Sequence, residues 1–175
     1  GIYPDAGYST RQTDDGGYIL AGYTESLDGD MTGAGYHGGG DACAAKFSAR
    51  GEVLWMKCVG GTGDDAGYSV QQTTDGGYVL FGYTNSTNGN MTGAGNHGGG
   101  DAFMARLNAR GSVLWVKCVG GSATDTGQSV QQTTDGGYVL AGYTNSTDGS
   151  MMGAGNHGGG DAFIAKMNAT GTVLW

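Results

Sequence analysis

Proline is almost absent from this chain: Pro4 is the only one in 175 residues. Positive charge is scarce as well, with 8 lysines and arginines against 16 acids and a formal net charge of −8. Such a surface argues against nucleic acid as a partner and against polybasic attachment to a membrane. No apolar run approaches the roughly 20 residues of a membrane span. No window of helical length carries a capped 3.6-residue apolar period. The cysteines are only three, Cys43, Cys58 and Cys118, without C-x-x-C spacing. An odd set of this kind gives neither a closed disulfide framework nor a zinc motif.

Glycine, by contrast, is in excess, with 39 residues. There is no collagen triplet, and the apolar residues between the glycines recur in register, so the chain is not a low-complexity coil. "GAGYHGGGDAC" begins at Gly33, and "GAGNHGGGDAF" begins at Gly93 and again at Gly153. The opening of each copy fits G-x-G-x-x-G, the loop that cradles a dinucleotide pyrophosphate. That fingerprint is used once, between a strand and a helix. Here it recurs at a fixed 60-residue spacing and opens no helix, so it is part of a repeat and is expected to bind no nucleotide.

Three repeats follow, 1–60, 61–120 and 121–175, and the second and third align without a gap. In the second, "GYSVQQTTDGGYVLFGYT" (Gly67–Thr84) reads as two short strands around a "TTDGG" turn. "DAFMARLNARGSVLWVKCVGG" (Asp101–Gly121) reads as two more around "NARG". β-branched and aromatic runs punctuated by Asp-Gly or Arg-Gly are hairpin signals. The fold class is therefore all-β, in tandem four-stranded antiparallel units a, b, c and d, with a long b–c connection (Asn85–Gly100). β-propeller blades fit four strands at this length; a β-solenoid or linear stacked array is the alternative. Strands c and d are apolar at nearly every position, as in Val113, Leu114, Trp115 and Val116, and so expect cover on both faces.

The pattern "DGGYVLAGYT … GGGDAFIAKMNATGTVLW" from Asp135 onward resembles bacterial and archaeal surface-protein repeats of the form DGGY-aliphatic-aliphatic-GYT, D-x-aromatic-x-x-K-x-[ND]-x-x-G, then Trp and GG. The resemblance spans the whole chain. It departs in a longer b–c insert and in the cysteine after Trp-x-Lys. It implies propeller blades and an extracellular or cell-surface location, and no catalytic activity.

In an up-and-down blade the d–a and b–c connections share one face. Asp5, Glu25, Asp28, Asp30, Asp41, Asp64, Asp65, Asp101, Asp125, Asp148 and Asp161 lie in or beside them, and no lysine or arginine does. A strongly acidic face of that kind attracts cations. Calcium is the cofactor to weigh, with Asp28, Asp30, Asn88, Asn90 and Asp148 as oxygen donors in the b–c loops, and Asp64 and Asp65 in "GGTGDD"; plain Asx turns explain the same residues. The equivalent histidines His37, His97 and His157, with Asp41, Asp101, Asp161, Asn96 and Asn156, are the other ligand candidates. Against a histidine ring stands a packing role for each within its own loop. N-x-[ST] sequons at Asn85, Asn90, Asn145 and Asn168 become glycan sites if the source is a secreted eukaryotic protein.

Every histidine and nearly every acid has a counterpart in the other repeats, whereas most active sites combine unlike residues. The expected function is thus non-enzymatic: an adhesion or ligand-binding module for carbohydrate or protein, through the acidic loop face. The alternatives are a purely structural repeat of a fibre or surface array, and a calcium-dependent lectin-like propeller. Three blades do not easily close a ring. The chain is expected to continue into further blades or to self-associate, two copies giving a six-bladed ring. Counting back from a c–d turn that pairs Ser48 with Glu52 sets Cys43 opposite Lys57, so that Cys43 and Cys58 face apart as free buried thiols.

Overall fold

The computed structural model describes residues 1–153 and 155–175; Ala154, in the third glycine-rich loop, lies outside them. The first sheet is β1 (Asp5–Gln12), β2 (Tyr18–Thr24), β3 (Asp41–Phe47) and β4 (Val53–Val59). The second is β5 (Asp65–Gln72), β6 (Tyr78–Thr84), β7 (Asp101–Leu107) and β8 (Val113–Val119). The third is β9 (Asp125–Gln132), β10 (Tyr138–Thr144) and β11 (Asp161–Met167), extended by a bridge from Met167 to Val173. Each sheet is an antiparallel meander in chain order. The only helical elements among the described residues are three single 3-10 turns in the b–c loops. No helix there is long and apolar enough to cross a membrane.

The a–b turn explains the T-x-D-G-G signature. Thr73 N–H donates to Gly77 O at 2.9 Å and Gly76 N–H to Thr73 O at 2.8 Å. Gly76 sits at φ +81°, where a side chain is strained. Asp75 accepts from the Thr73 hydroxyl at 2.6 Å and from Gly77 N–H at 3.2 Å. Arg106 of β7 then folds back onto the Asp75 carboxylate and the Leu107 carbonyl. Lys46 with Asp15 and Lys166 with Asp135 repeat the device, each at 2.9 Å. The base of strand c therefore locks the a–b turn and is not free for a ligand.

Sheets stack face to face, which is why their strands are apolar on both sides. Ile19, Ala21, Ala42 and Ala44 are fully buried against Leu80, Phe103 and Leu107 of the second sheet. The corresponding second-sheet residues Val79, Phe81, Ala102 and Met104 are buried against Leu140, Phe163 and Met167. An edge-to-face ring pair crosses each junction: Trp55 on Tyr78 at 5.5 Å and Trp115 on Tyr138 at 6.4 Å. The first strands lie side by side, β1 beside β5 and β5 beside β9. Glutamine clamps join them, Gln72 Oε1 accepting from Asp14 N–H at 2.8 Å and Gln132 Oε1 from Thr74 N–H at 2.9 Å.

Two irregularities depart from the alternation read in the sequence. In strand a the register jumps from Gly67 to Ser69, leaving Tyr68 as a bulge residue; Tyr8 and Gln128 hold the same position. In the c–d hairpin Ser48 does pair with Glu52. Beyond it, Lys46 pairs with Trp55 and Phe47 with Val53, so Leu54 is an extra residue. That bulge shifts the register by one, and Cys43 stands directly opposite Cys58, not Lys57. The two cysteines share a face, contrary to the expectation from simple counting.

Candidate functional site

The loop face is built on one carboxylate per repeat at the start of strand a, buried at Asp65 and Asp125 and exposed at Asp5. Asp65 is 1% exposed. Its Oδ1 accepts from the Thr84 hydroxyl, and its Oδ2 from Gly61 N–H at 2.9 Å and the Ser86 hydroxyl at 2.8 Å. Asp125 does the same with Thr144, Gly121 and Ser146. Asp5 does so with Thr24, Ser26 and the Gly1 amine. Burial pushes the Asp65 carboxyl upward, and these donors pull it back.

A second buried carboxylate opens strand c. Asp41 and Asp101 are fully buried, and Asp161 is half-buried. Each accepts the backbone N–H of the histidine four residues earlier, His37 at 2.6 Å, His97 and His157 at 2.7 Å. The ring Nδ1 lies 3.4, 3.4 and 3.9 Å from the other carboxylate oxygen. Asn96 and Asn156 close the same loop: the side-chain amide donates to the Ser86 or Ser146 carbonyl, and its oxygen accepts from Gly98 or Gly158 N–H. Tyr36 stands in for asparagine in the first repeat and donates to Gly39 O. The histidines, aspartates and asparagines picked out as ligand candidates thus come together within each repeat, as the closure of the b–c loop.

The residues weighed for calcium are placed differently. Asp28, Asn88 and Asp148 each accept a backbone N–H from the start of their own repeat, Ile2 at 3.0 Å, Thr62 at 2.8 Å and Ser122 at 2.7 Å. Asn90 accepts from Gly60 N–H at 3.4 Å. Asp30 and Asp64 are exposed, and Asp65 is the buried hub. Among the described residues no three His, Cys, Asp or Glu side chains gather as a metal group. These loops tie the b–c and d–a connections together, as Asx turns do. Of the sequon asparagines, Asn85 is exposed, while Asn90, Asn145 and Asn168 are half-buried; the Asn168 side-chain oxygen holds the c–d turn through Thr170 and Thr172 N–H.

Charge on this face is weaker than its acid count suggests, because Asp41, Asp65, Asp101 and Asp125 are interior. Nor is the face free of bases: the Lys57 ammonium leans against the b–c loop at Gly35. What composition could not reveal is a cleft between the first two repeats, about 250 Å³, lined by Tyr8, Tyr23, Tyr68, Tyr83 and Asp64.

No family model matches the chain. Over 169 residues it is 24% identical to the "Regulatory protein FlaEY" of Caulobacter vibrioides, a match covering 88% of this chain and 17% of that protein. The chain therefore spans less than a fifth of the length of the curated relative it matches.

Burial makes Asp41 a pH sensor of stability. Desolvation holds its carboxyl up at about 6, against the pull of the His37 N–H, with Asp65 adding repulsion. Unfolded, it titrates near 4. The folded state binds the proton more tightly, so stability rises as pH falls from about 6 to about 4 and is lost again on raising pH through about 6, by about 3 kcal/mol in full. Asp65 and Asp101 shift the same way. Asp41→Asn keeps an oxygen for His37 N–H and offers an amide N–H to His37 Nδ1, which otherwise has no hydrogen-bond partner. It is expected to stabilise the protein by about 2–3 kcal/mol at pH 8 and to change little at pH 4. Urea unfolding at the two pH values checks this; equal effects at both would show that the carboxylate is not carrying a burial cost.

Proposed function

We propose that this chain is a non-enzymatic segment of an extracellular or cell-surface repeat protein, and that its principal partner is another unit of the same kind. The carrying observation is a contrast between inner and outer sheet faces. Val139, Ala141, Ala162 and Ile164 of the third sheet hold the positions of Val79, Phe81, Ala102 and Met104, which are fully buried at the next junction. On the third sheet they are half-buried to exposed, Ile164 at 63%. At the other end Tyr18 is 42% exposed, whereas Tyr78 and Tyr138 are 3% and 2% exposed beneath a tryptophan. Trp175, at 65%, is the tryptophan without a tyrosine. Each end face is one half of a junction the chain already builds twice. Docking the end face of one copy on the opposite end face of another satisfies both. We read the units as propeller blades, since the first strands of neighbouring sheets lie side by side; the resemblance of the repeat motifs points the same way and to the surface location.

Sedimentation velocity on the chain tests this. Concentration-dependent association is expected in the micromolar range, and Ile164→Lys, placing a charge on the outer face, is expected to abolish it while leaving the melting temperature of the dilute monomer unchanged. A wild-type monomer at all concentrations would sink the reading. A second reading, binding of a carbohydrate or protein ligand on the loop face, is favoured by the tyrosine cleft.

A further inference from the structure

The geometry points to the cleft between the first and second repeats as a binding site for a small quaternary ammonium cation of the choline type. It places a cationic ligand, in place of a carbohydrate or protein, on the same loop face, and is independent of the association reading. Tyr8 and Tyr68 are the bulge residues of β1 and β5, and a bulge re-aims its side chain out of the ladder. Their rings meet at 5.1 Å, tilted by 48°. Tyr23 and Tyr83 complete the walls, and the exposed Asp64 lies on the rim. Tyr23 donates its hydroxyl to Glu25, which brings a second carboxylate to the edge. Among the described residues no lysine or arginine lines the cleft. Aromatic faces and carboxylates both attract a cation, and a methylated ammonium loses little on leaving water, which suits an aromatic enclosure.

The chain supplies its own comparison. At the junction of the second and third repeats, Thr124 stands in place of Asp64 and Gln128 in place of Tyr68. That cleft lacks both the acid and one aromatic wall. Asp64→Thr and Tyr68→Gln therefore install residues that the same architecture already accommodates.

The test is a titration of the whole chain with choline, followed by tyrosine ring-proton shifts. Saturable millimolar binding is expected, with the neutral tert-butyl isostere of choline about tenfold weaker and each of the two substitutions weakening choline about three- to tenfold. The proposal is overturned by absence of saturation, by equal affinity for the neutral isostere, or by variants that melt and bind like the wild type. Displacement of choline by a neutral hexose at lower concentration would assign the cleft to sugars and also overturn it. None of these outcomes bears on sedimentation, so the association reading is tested separately.

A different observation concerns the cysteines. We infer that Cys43 and Cys58 are a modification site, joined as a cross-strand disulfide under oxidising conditions. Cys58 N–H donates outward to Ala34 O at 2.8 Å, so its pairing with Cys43 is the non-hydrogen-bonded kind. Facing Cα atoms at such a pair are about 4.5 Å apart, within the range of about 4.4–6.8 Å that a disulfide spans. Both thiols are buried under Met31, Tyr36 and Met56, and burial pushes each up to about 12. In the second repeat Phe103 faces Cys118, so the pair occurs once. The oxidant is a small-molecule disulfide. One cysteine thiolate attacks it, releasing one thiol and leaving a mixed disulfide. The second cysteine displaces the other thiol, and the two protons end on the released thiols.

Refolding the denatured chain in mixed oxidised and reduced glutathione removes burial as a kinetic barrier. After alkylation in denaturant, peptide mapping should give a Cys43–Cys58 link with Cys118 alkylated, and a melting temperature raised by several degrees over the reduced protein. Cys43→Phe, the residue of the other two repeats, should fold and show no such gain. Full alkylation of Cys43 and Cys58, a stable glutathione adduct, or pairing through Cys118 overturns the inference.

Discussion

Asp65→Ala is expected to destabilise the protein by about 3–5 kcal/mol, a large share of the roughly 5–15 kcal/mol that holds a domain folded. The carboxylate is 1% exposed and is the shared acceptor of Thr84, Ser86 and Gly61. Removing it strands three donors in a dry site, at about 1–3 kcal/mol each. Relief of the buried charge offsets part of this, since desolvation is the largest influence on the carboxyl. Asp65→Asn keeps one acceptor and turns a donor against the Gly61 N–H or the Ser86 hydroxyl, so it should cost about half as much. Asp64→Ala, one residue away and exposed, should stay within about 0.5 kcal/mol of the wild type. Denaturant unfolding of the three variants is the measurement. If Asp65→Ala unfolds at the wild-type midpoint, the hub is not what fastens the start of strand a to the loop after strand b.

That hub illustrates what could be read from residues and what could not. The repeats, the hairpins and the T-x-D-G-G turns were legible because each rests on neighbouring residues: a glycine at positive φ, a β-branched run, a fixed spacing. The Asp65 hub draws on Thr84 and Ser86, 19 and 21 positions away. Nothing local separates it from Asp64, so the sequence alone places both among the acids of the loop face. The histidine loops were legible as units, but their chemistry was not, since the bond that matters is from a backbone N–H to Asp41 or Asp101. The bulges are hidden from the sequence for another reason. Period-two counting assumes an unbroken ladder, and one extra residue at Leu54 brought Cys43 and Cys58 together. The Gly-Tyr-Ser and Gly-Gln-Ser steps at Tyr8, Tyr68 and Gln128 were the available signal, a glycine inside a strand marking a bulge.

Gly82 gives the second large effect, and its cause is steric, not conformational. Its φ is not in the positive range, so an alanine there meets no backbone strain. A methyl group, however, would land inside the contact radius of the Ala66 carbonyl oxygen and press on the Ala66 carbonyl carbon at 2.9 Å and Gly67 Cα at 3.0 Å. These are main-chain atoms of β5 just before the Tyr68 bulge, and they cannot swing aside as a long side chain can. Gly22 and Gly142 face Ala6 and Thr126 in the same way, so each sheet brings strands a and b close at a glycine. Gly82→Ala must push β5 away from β6 in the middle of the stack, where Phe81 and Leu80 are fully buried on either face. The expected loss is about 3 kcal/mol or more. Gly76→Ala is the informative opposite: φ is +81° with open space around it, so only the left-handed conformation is penalised, at about 1–2 kcal/mol. Thermal unfolding should therefore rank Gly82→Ala well below Gly76→Ala. The reverse order would mean that the two strands are not in close contact at this glycine, and that the bulge places Tyr68 elsewhere than in the cleft.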